Sequence, residues 1–231
     1  MISLSRIAVA ACMAIAVLLC APAVLAEDTP YKFSIGAQLG MSGYLGDASS
    51  NLMSHPGFTA TGAFMYQYDS RWSFGGTLGF QTLSGTTADM DNVIPGGEVY
   101  DFKSTVTDLN ARVEFNFFNY GIGETYKRMR RWSPYLTLGL GVCMSSSGGS
   151  TAFAPTIPMG AGIRYKPSER INLSFEFLMV KALGDHIDGP LLSDLSQIKS
   201  SFLKNNDWYS RIAIGISYEF GRRCETCHYV D

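Results

Sequence analysis

Odd and even positions part company along most of this chain. Between residues 31 and 44, Tyr31, Phe33, Ile35, Ala37, Leu39 and Met41 fall on one side of a period-two pattern, with Lys32, Ser34, Gly36, Gln38, Gly40 and Ser42 on the other. Such alternation gives a β-strand one apolar and one polar face. The pattern returns over 58–68, from Trp72 to Phe80, and over 104–118, 134–144, 155–166, 171–181 and 208–220. It predicts eight strands, each near the ~10 residues that a tilted strand needs to cross an outer membrane.

The connections differ in length. Asp69–Arg71 and Pro167–Arg170 are short, whereas the links around 45–57, 84–103 and 184–207 are long and rich in Gly, Ser, Asn and Asp. Outer-membrane barrels have short periplasmic turns and longer external loops, and the lengths follow that rule. One link departs from it. Asn119 to Ser133 belongs on the periplasmic side yet is long and basic, with Lys127, Arg128, Arg130 and Arg131.

A soluble lipocalin-like barrel has the same strand count, with its apolar face turned inward. Two features favour the membrane form. Glycines gather on the polar face, and aromatics crowd the strand ends (Tyr66, Tyr68, Trp72, Phe117, Phe118, Tyr120, Trp208, Tyr218, Phe220), as interfacial girdles do. The fold expected is therefore all-β, an eight-stranded antiparallel transmembrane β-barrel. Its polar interior would hold Lys32, Arg112, Glu114, Arg164, Lys166, Glu176, Arg211 and Glu219, and charges out of water need partners. An internal ion-pair network is the expectation, ahead of a proton or ion path.

The beginning of the chain changes the domain limits. Arg6 precedes an unbroken apolar run from Ile7 to Leu19, Pro22 ends it, and Val24-Leu25-Ala26 supplies small residues for a peptidase. These features predict a signal peptide over 1–26, a barrel over 27–221 and a short Cys-bearing periplasmic tail over 222–231. An uncleaved anchor is the rival for the first segment. Cleavage would remove Arg6 from 18 basic side chains and leave all 20 acidic ones, a slightly acidic product. That balance argues against a nucleic-acid binder. Only 16% of the residues are charged, and 24 are glycine, which suits a barrel whose two faces average out.

Candidate chemistry is sparse. The tail reads Cys224-Glu-Thr-Cys227-His228, the spacing of a covalent haem attachment site. Haem needs an enclosing apolar domain and usually a second axial ligand, and only three residues follow His228. Two cysteines and one histidine fall short of the four ligands of a structural zinc site. A Cys224–Cys227 disulfide or free thiols are the simpler outcomes, and Cys143, in mid-strand among glycines, is expected to be inert. His186, with Asp185 and Asp188, could serve a rim enzyme or a loop metal site. No serine partner, nucleophile elbow, phosphate-binding loop or HExxH accompanies it. Neither catalysis, cofactor nor resident metal is expected.

An ordered set of segments adds a resemblance. Tyr44-Leu-Gly-Asp47 closes the first strand, and Glu114-Phe-Asn-Phe-Phe118 precedes the basic link and Ser133-Pro-Tyr-Leu-Thr-Leu-Gly-Leu-Gly141. Ile157-Pro-Met-Gly-Ala-Gly-Ile-Arg-Tyr165, Leu173-Ser-Phe-Glu176 and Asp207-Trp-Tyr209 follow in order. Nearly the whole chain after residue 26 thus resembles the PorG-like outer-membrane β-barrel family of Bacteroidota. Gly184-Asp-His-Ile-Asp188 matches only part of the longer Asp-rich segment that the family often carries. The resemblance implies a non-enzymatic accessory or anchor in type IX protein secretion. A free-standing barrel for envelope integrity or adhesion is the alternative, and the rim enzyme near His186 a second. The expected partners are outer-membrane lipid and periplasmic components of a secretion complex. Lys127, Arg128, Arg130 and Arg131, with Arg222 and Arg223, are the candidate docking residues.

Overall fold

The computed structural model describes residues 30–45, 56–86, 101–122, 129–147, 150–183 and 208–222. Eight strands form there: β1 (Tyr31–Leu45), β2 (Gly57–Gln67), β3 (Trp72–Thr86), β4 (Asp101–Asn116), β5 (Trp132–Ser147), β6 (Ser150–Tyr165), β7 (Ile171–Ala182) and β8 (Trp208–Arg222). Each is antiparallel to its neighbours in sequence, and β1 pairs with β8, so the sheet closes into a barrel. All eight expected strands are present.

The faces settle which barrel this is. Leu39, Leu78, Leu109, Leu140, Ile163, Phe175 and Ile214 stand exposed on the outside, while Ser42, Gln81, Asn110, Arg112, Glu176, Arg211 and Glu219 are buried inside. A soluble barrel would reverse this. An outer surface so apolar is stable only against lipid, and a closed ring leaves no backbone edge unpaired within it. The molecule is an outer-membrane β-barrel, and the chain ends of β1 and β8 mark its periplasmic side.

Several particulars differ from the expectations. Lys32 is exposed rather than internal: β2 flanks β1 only from Phe33 onward, so Lys32 sits at the periplasmic lip with β8 alone beside it. Tyr120, assigned to the aromatic girdle, is buried. β5 and β6 are longer than the apolar pattern suggested and pair out to Ser147 and Ser150, above the apolar belt. On its other side β6 pairs with β7 only as far as Thr156–Ala182. The β3–β6 wall consequently rises beyond the rest of the described barrel. Pro158 interrupts the β5–β6 ladder between Leu138–Met159 and Gly141–Thr156, as a residue without an N–H must.

The interior has two layers. Towards the outer end, Tyr44, Leu83, Val106, Cys143, Ala154, Leu178, Val180, Ala182 and Tyr209 form one apolar cluster. Cys143 lies within it, outside any disulfide. Below the cluster the filling is polar.

The exposed position of Ile214 gives a direct test. Ile214→Arg should prevent folding into lipid vesicles, since a midplane arginine costs ~2–4 kcal/mol. Ser217→Ala, on the inner face, should fold normally. Heat-dependent gel mobility reads both, and normal insertion of the arginine variant would contradict the outward placement of this strand face.

Candidate functional site

The polar layer is built from side chains that the inward positions of different strands bring to one axis. Arg112 on β4 sits between two carboxylates. Its Nε and Nη2 donate to Glu114 on the same strand, while Nη1 and Nη2 grip Glu176 of β7 at 3.2 and 2.7 Å. Arg164 of β6 donates to the second oxygen of Glu114. The Tyr135 hydroxyl of β5 donates to Glu176 at 2.8 Å, with the Arg164 guanidinium 4.3 Å from the centre of its ring. Tyr135 has this room because position 162 is glycine; a Cβ there would come within 2.6 Å of its ring.

A second group lies nearer the outer end. Asp108 accepts from Gln81 at 3.0 Å, Asn110 at 2.6 Å and Tyr209 at 3.4 Å, with Arg211 at 3.9 Å. Arg211 also lies 3.9 Å from Glu176 and donates to Thr61 at 3.1 Å, linking the two groups. A third group closes the periplasmic end: Lys166 meets Glu219 at 2.5 Å, and Glu219 also accepts from Gln67 and Asn172 at 3.1 and 2.9 Å. Every expected internal charge except Lys32 joins this network. Asp108 joins it too, an internal charge not among those expected, because it lies one residue before the clear Leu109–Phe117 alternation.

The long β4–β5 link accounts for the lower closure. Its first residues run back beneath the barrel: the Tyr120 amide donates to Ser70 O at 3.2 Å, and Gly121 and Arg130 exchange backbone bonds at 3.0 and 2.8 Å with Arg130 and Asn119. This carries Tyr120 into the periplasmic mouth, where its hydroxyl donates to Asn172 at 2.7 Å. Lys166 Nζ lies 5.4 Å from the centre of the Tyr120 ring. Burial pushes the Tyr120 phenol pKa up and lowers that of Lys166 despite Glu219 beside it. Tyr120 is a stopper in the mouth. A cavity of about 50 Å³ lies in the lumen between Gln38, Gln67, Arg112, Glu114 and Ser217, roughly one or two waters.

Of the candidate docking residues, Arg130, Arg131 and Arg222 are described, and all three are exposed at the periplasmic end. Arg130 stacks on Phe118 at 4.4 Å. It follows β4 and Arg222 ends β8, so the ring sets them on different sides of the barrel. Lys127, Arg128, Arg223, Cys224, Cys227 and His228 lie outside the described residues, as do Asp185, His186 and Asp188. Among the described residues no group of three His, Cys, Asp or Glu side chains is placed to hold a metal.

A family described as "Domain of unknown function (DUF6089)" matches residues 13–229. No curated protein matches the chain. Among solved structures, the neisserial surface protein A is similar, with a TM-score of 0.50 at 16% identity over 81% of this chain and 97% of that one. The attachment invasion locus protein Ail of Yersinia pestis, in complex with the heparin analogue sucrose octasulfate, scores 0.48 at 12% identity over 82% and 99%. At such identity the neisserial likeness is one of fold.

Arg112→Met should destabilise the barrel by ~3–5 kcal/mol, the cost of leaving a buried carboxylate unpaired. Urea unfolding in vesicles measures it, and adding Glu176→Gln should restore part of the loss. Tyr120→Ala should leave strand content unchanged while admitting water to Lys166 and Glu219. Faster hydrogen exchange at the periplasmic ends of β6 and β8, with protection elsewhere intact, is the expected result.

Proposed function

The chain belongs to the DUF6089 family, and from that premise we propose that it is a non-enzymatic outer-membrane barrel, an accessory or anchor for an envelope complex. The observation that carries this reading is the filled lumen. Among the described residues, side chains occupy it from Leu83 and Val106 down to Tyr120 and leave a cavity of about 50 Å³ between them. A barrel so closed works through its surfaces.

Type IX secretion is the process we assign to it, on the resemblance of its ordered segments to the PorG-like barrels of Bacteroidota. The long basic periplasmic link supports a contact there. Hairpin geometry needs only a few residues, and this link is far longer. Part of that length places the Tyr120 stopper; Lys127, Arg128, Arg130 and Arg131 are left to meet a partner.

A free-standing adhesive or structural barrel is the second reading. The raised β3–β6 wall favours it, because strands continued past the apolar belt hold a surface out from the membrane. In this reading the external end acts and the periplasmic end only closes the barrel.

Charge reversal at Lys127, Arg128, Arg130 and Arg131 separates the two. The variant should fold and insert while releasing periplasmic proteins that crosslink to the wild type in native cells, with a matching fall in secretion. Recovery of the same crosslinked partners with secretion intact would remove the accessory role.

A further inference from the structure

The periplasmic lip carries a second arrangement of arginines, on the outside of the barrel and away from the basic link. Arg170, in the β6–β7 turn, bridges β1 and β8 at this lip, meeting buried Tyr31 and exposed Tyr218. Its Nε donates to the Tyr31 hydroxyl at 3.0 Å and its Nη1 to the Tyr218 hydroxyl at 2.9 Å. Its guanidinium carbon also stands 5.4 Å from the centre of the Tyr31 ring. Arg222 is the cross-strand partner of Tyr31. The two arginines thus flank one tyrosine, and both are exposed.

The pairing is unusual in its chemistry. Lumen cations such as Arg112, Arg164 and Lys166 are matched with carboxylates. Among the described residues Arg170 and Arg222 have none: the contacts of Arg170 are phenols, and the neighbouring Glu169 forms no ion pair with it. Two tyrosines hold the Arg170 fork in a fixed orientation, and a guanidinium has five N–H donors, so donors remain after those two contacts. A fixed fork beside a second arginine, both lacking anions, suits a phosphodiester.

What lies next to it identifies the source of that phosphate. At the same depth as this clasp, on β1, β2 and β8, Phe33, Phe64, Tyr66 and Phe220 form one aromatic cluster, with Phe33 5.8 Å from Phe64, 5.6 Å from Tyr66 and 5.8 Å from Phe220. Phe64, Tyr66 and Phe220 are exposed to lipid. Cations at the interface level beside a lipid-facing aromatic cluster match a headgroup joined to acyl chains.

We propose that Arg170 and Arg222, braced by Tyr31 and Tyr218, form a binding site for an anionic phospholipid of the inner leaflet, with its acyl chains on the Phe33–Phe64–Tyr66–Phe220 cluster. Two cations without a carboxylate partner among the described residues favour a headgroup of net negative charge, such as phosphatidylglycerol, over phosphatidylethanolamine, whose ammonium they repel. This site follows from the membrane orientation of the barrel and is independent of any role in secretion.

Native mass spectrometry of the detergent-purified full chain tests it, with phosphatidylglycerol and phosphatidylethanolamine of identical acyl chains supplied together. The wild type should keep phosphatidylglycerol preferentially. Arg170→Gln with Arg222→Gln should lower that retention about tenfold, on the scale of two cationic side chains at a charged membrane surface. Lys103→Gln, at the opposite end, should change nothing. Heat-shifted gel mobility reports folding; should the double variant misfold, Arg222→Gln alone and Arg170→Lys, which keeps the charge but loses the fork, should each give an intermediate loss. Equal retention of the two lipids by the wild type would overturn the proposal. So would phosphatidylglycerol binding that survives the double substitution, or displacement of the lipid by inorganic phosphate. Loss of a co-purifying periplasmic protein without loss of lipid would reassign the arginines to a protein partner.

Discussion

Hydrocarbon offers no hydrogen bonds, and that constraint sets the terms for everything else in this molecule. Each backbone N–H and C=O must find a partner in the chain itself, so the strands close into a ring from β1 back to β8. Closure with only eight strands makes a narrow tube, and a narrow tube is filled by its own side chains. Because side chains alternate, the face turned from lipid is the one that fills it. Polar residues are thereby forced into a space with almost no water, where each charge needs a matching charge. The Arg112–Glu114–Glu176–Arg164 group is the answer to a demand that begins with the backbone.

The two layers of the lumen divide this task. At the outer end, Leu83, Val106, Leu178 and Val180 fill the tube with hydrocarbon and need no partners. Further down, bulky charged groups occupy space that the many inward glycines would leave empty. Gly79 and Gly162 show the fit: a methyl group at either would press on the Asp108 carboxylate or the Tyr135 ring. Small residues on one strand admit large ones from another, which is why the fill depends on register rather than on any single strand.

That dependence explains what the sequence made legible. Period-two alternation is local, so all eight strands and the outward column of Leu, Ile and Phe could be read directly. The identity of most internal charges followed from parity. Their pairing did not, since Arg112 meets Glu176 across 64 positions and Gln67 meets Glu219 across 152. Lys32 has the right parity but lies past the end of the β1–β2 ladder, a boundary effect that alternation cannot show. Tyr120 carried the signature of a girdle aromatic, and only the path of the link beneath the barrel makes it a stopper. The outer ends of β5 and β6, residues 145–147 and 150–152, are written in Ser, Thr and Ala, without the apolar contrast that marks a strand against lipid.

The Arg170 clasp has a further consequence, for how the barrel comes together. It joins a turn near the C-terminal end of the fold to Tyr31 at its start, 139 positions away, and to Tyr218 on the last strand. None of the hairpins β2–β3, β4–β5 or β6–β7 contains all three residues, so no partly zipped sheet can form the clasp. It can assemble only after β1 and β8 have met, the step with the largest loop-closure entropy and the slowest class of contact in folding. These side chains therefore add nothing to the early steps of assembly and resist the late one in reverse. They act as a latch on the seam, holding the finished ring against reopening where its two ends join.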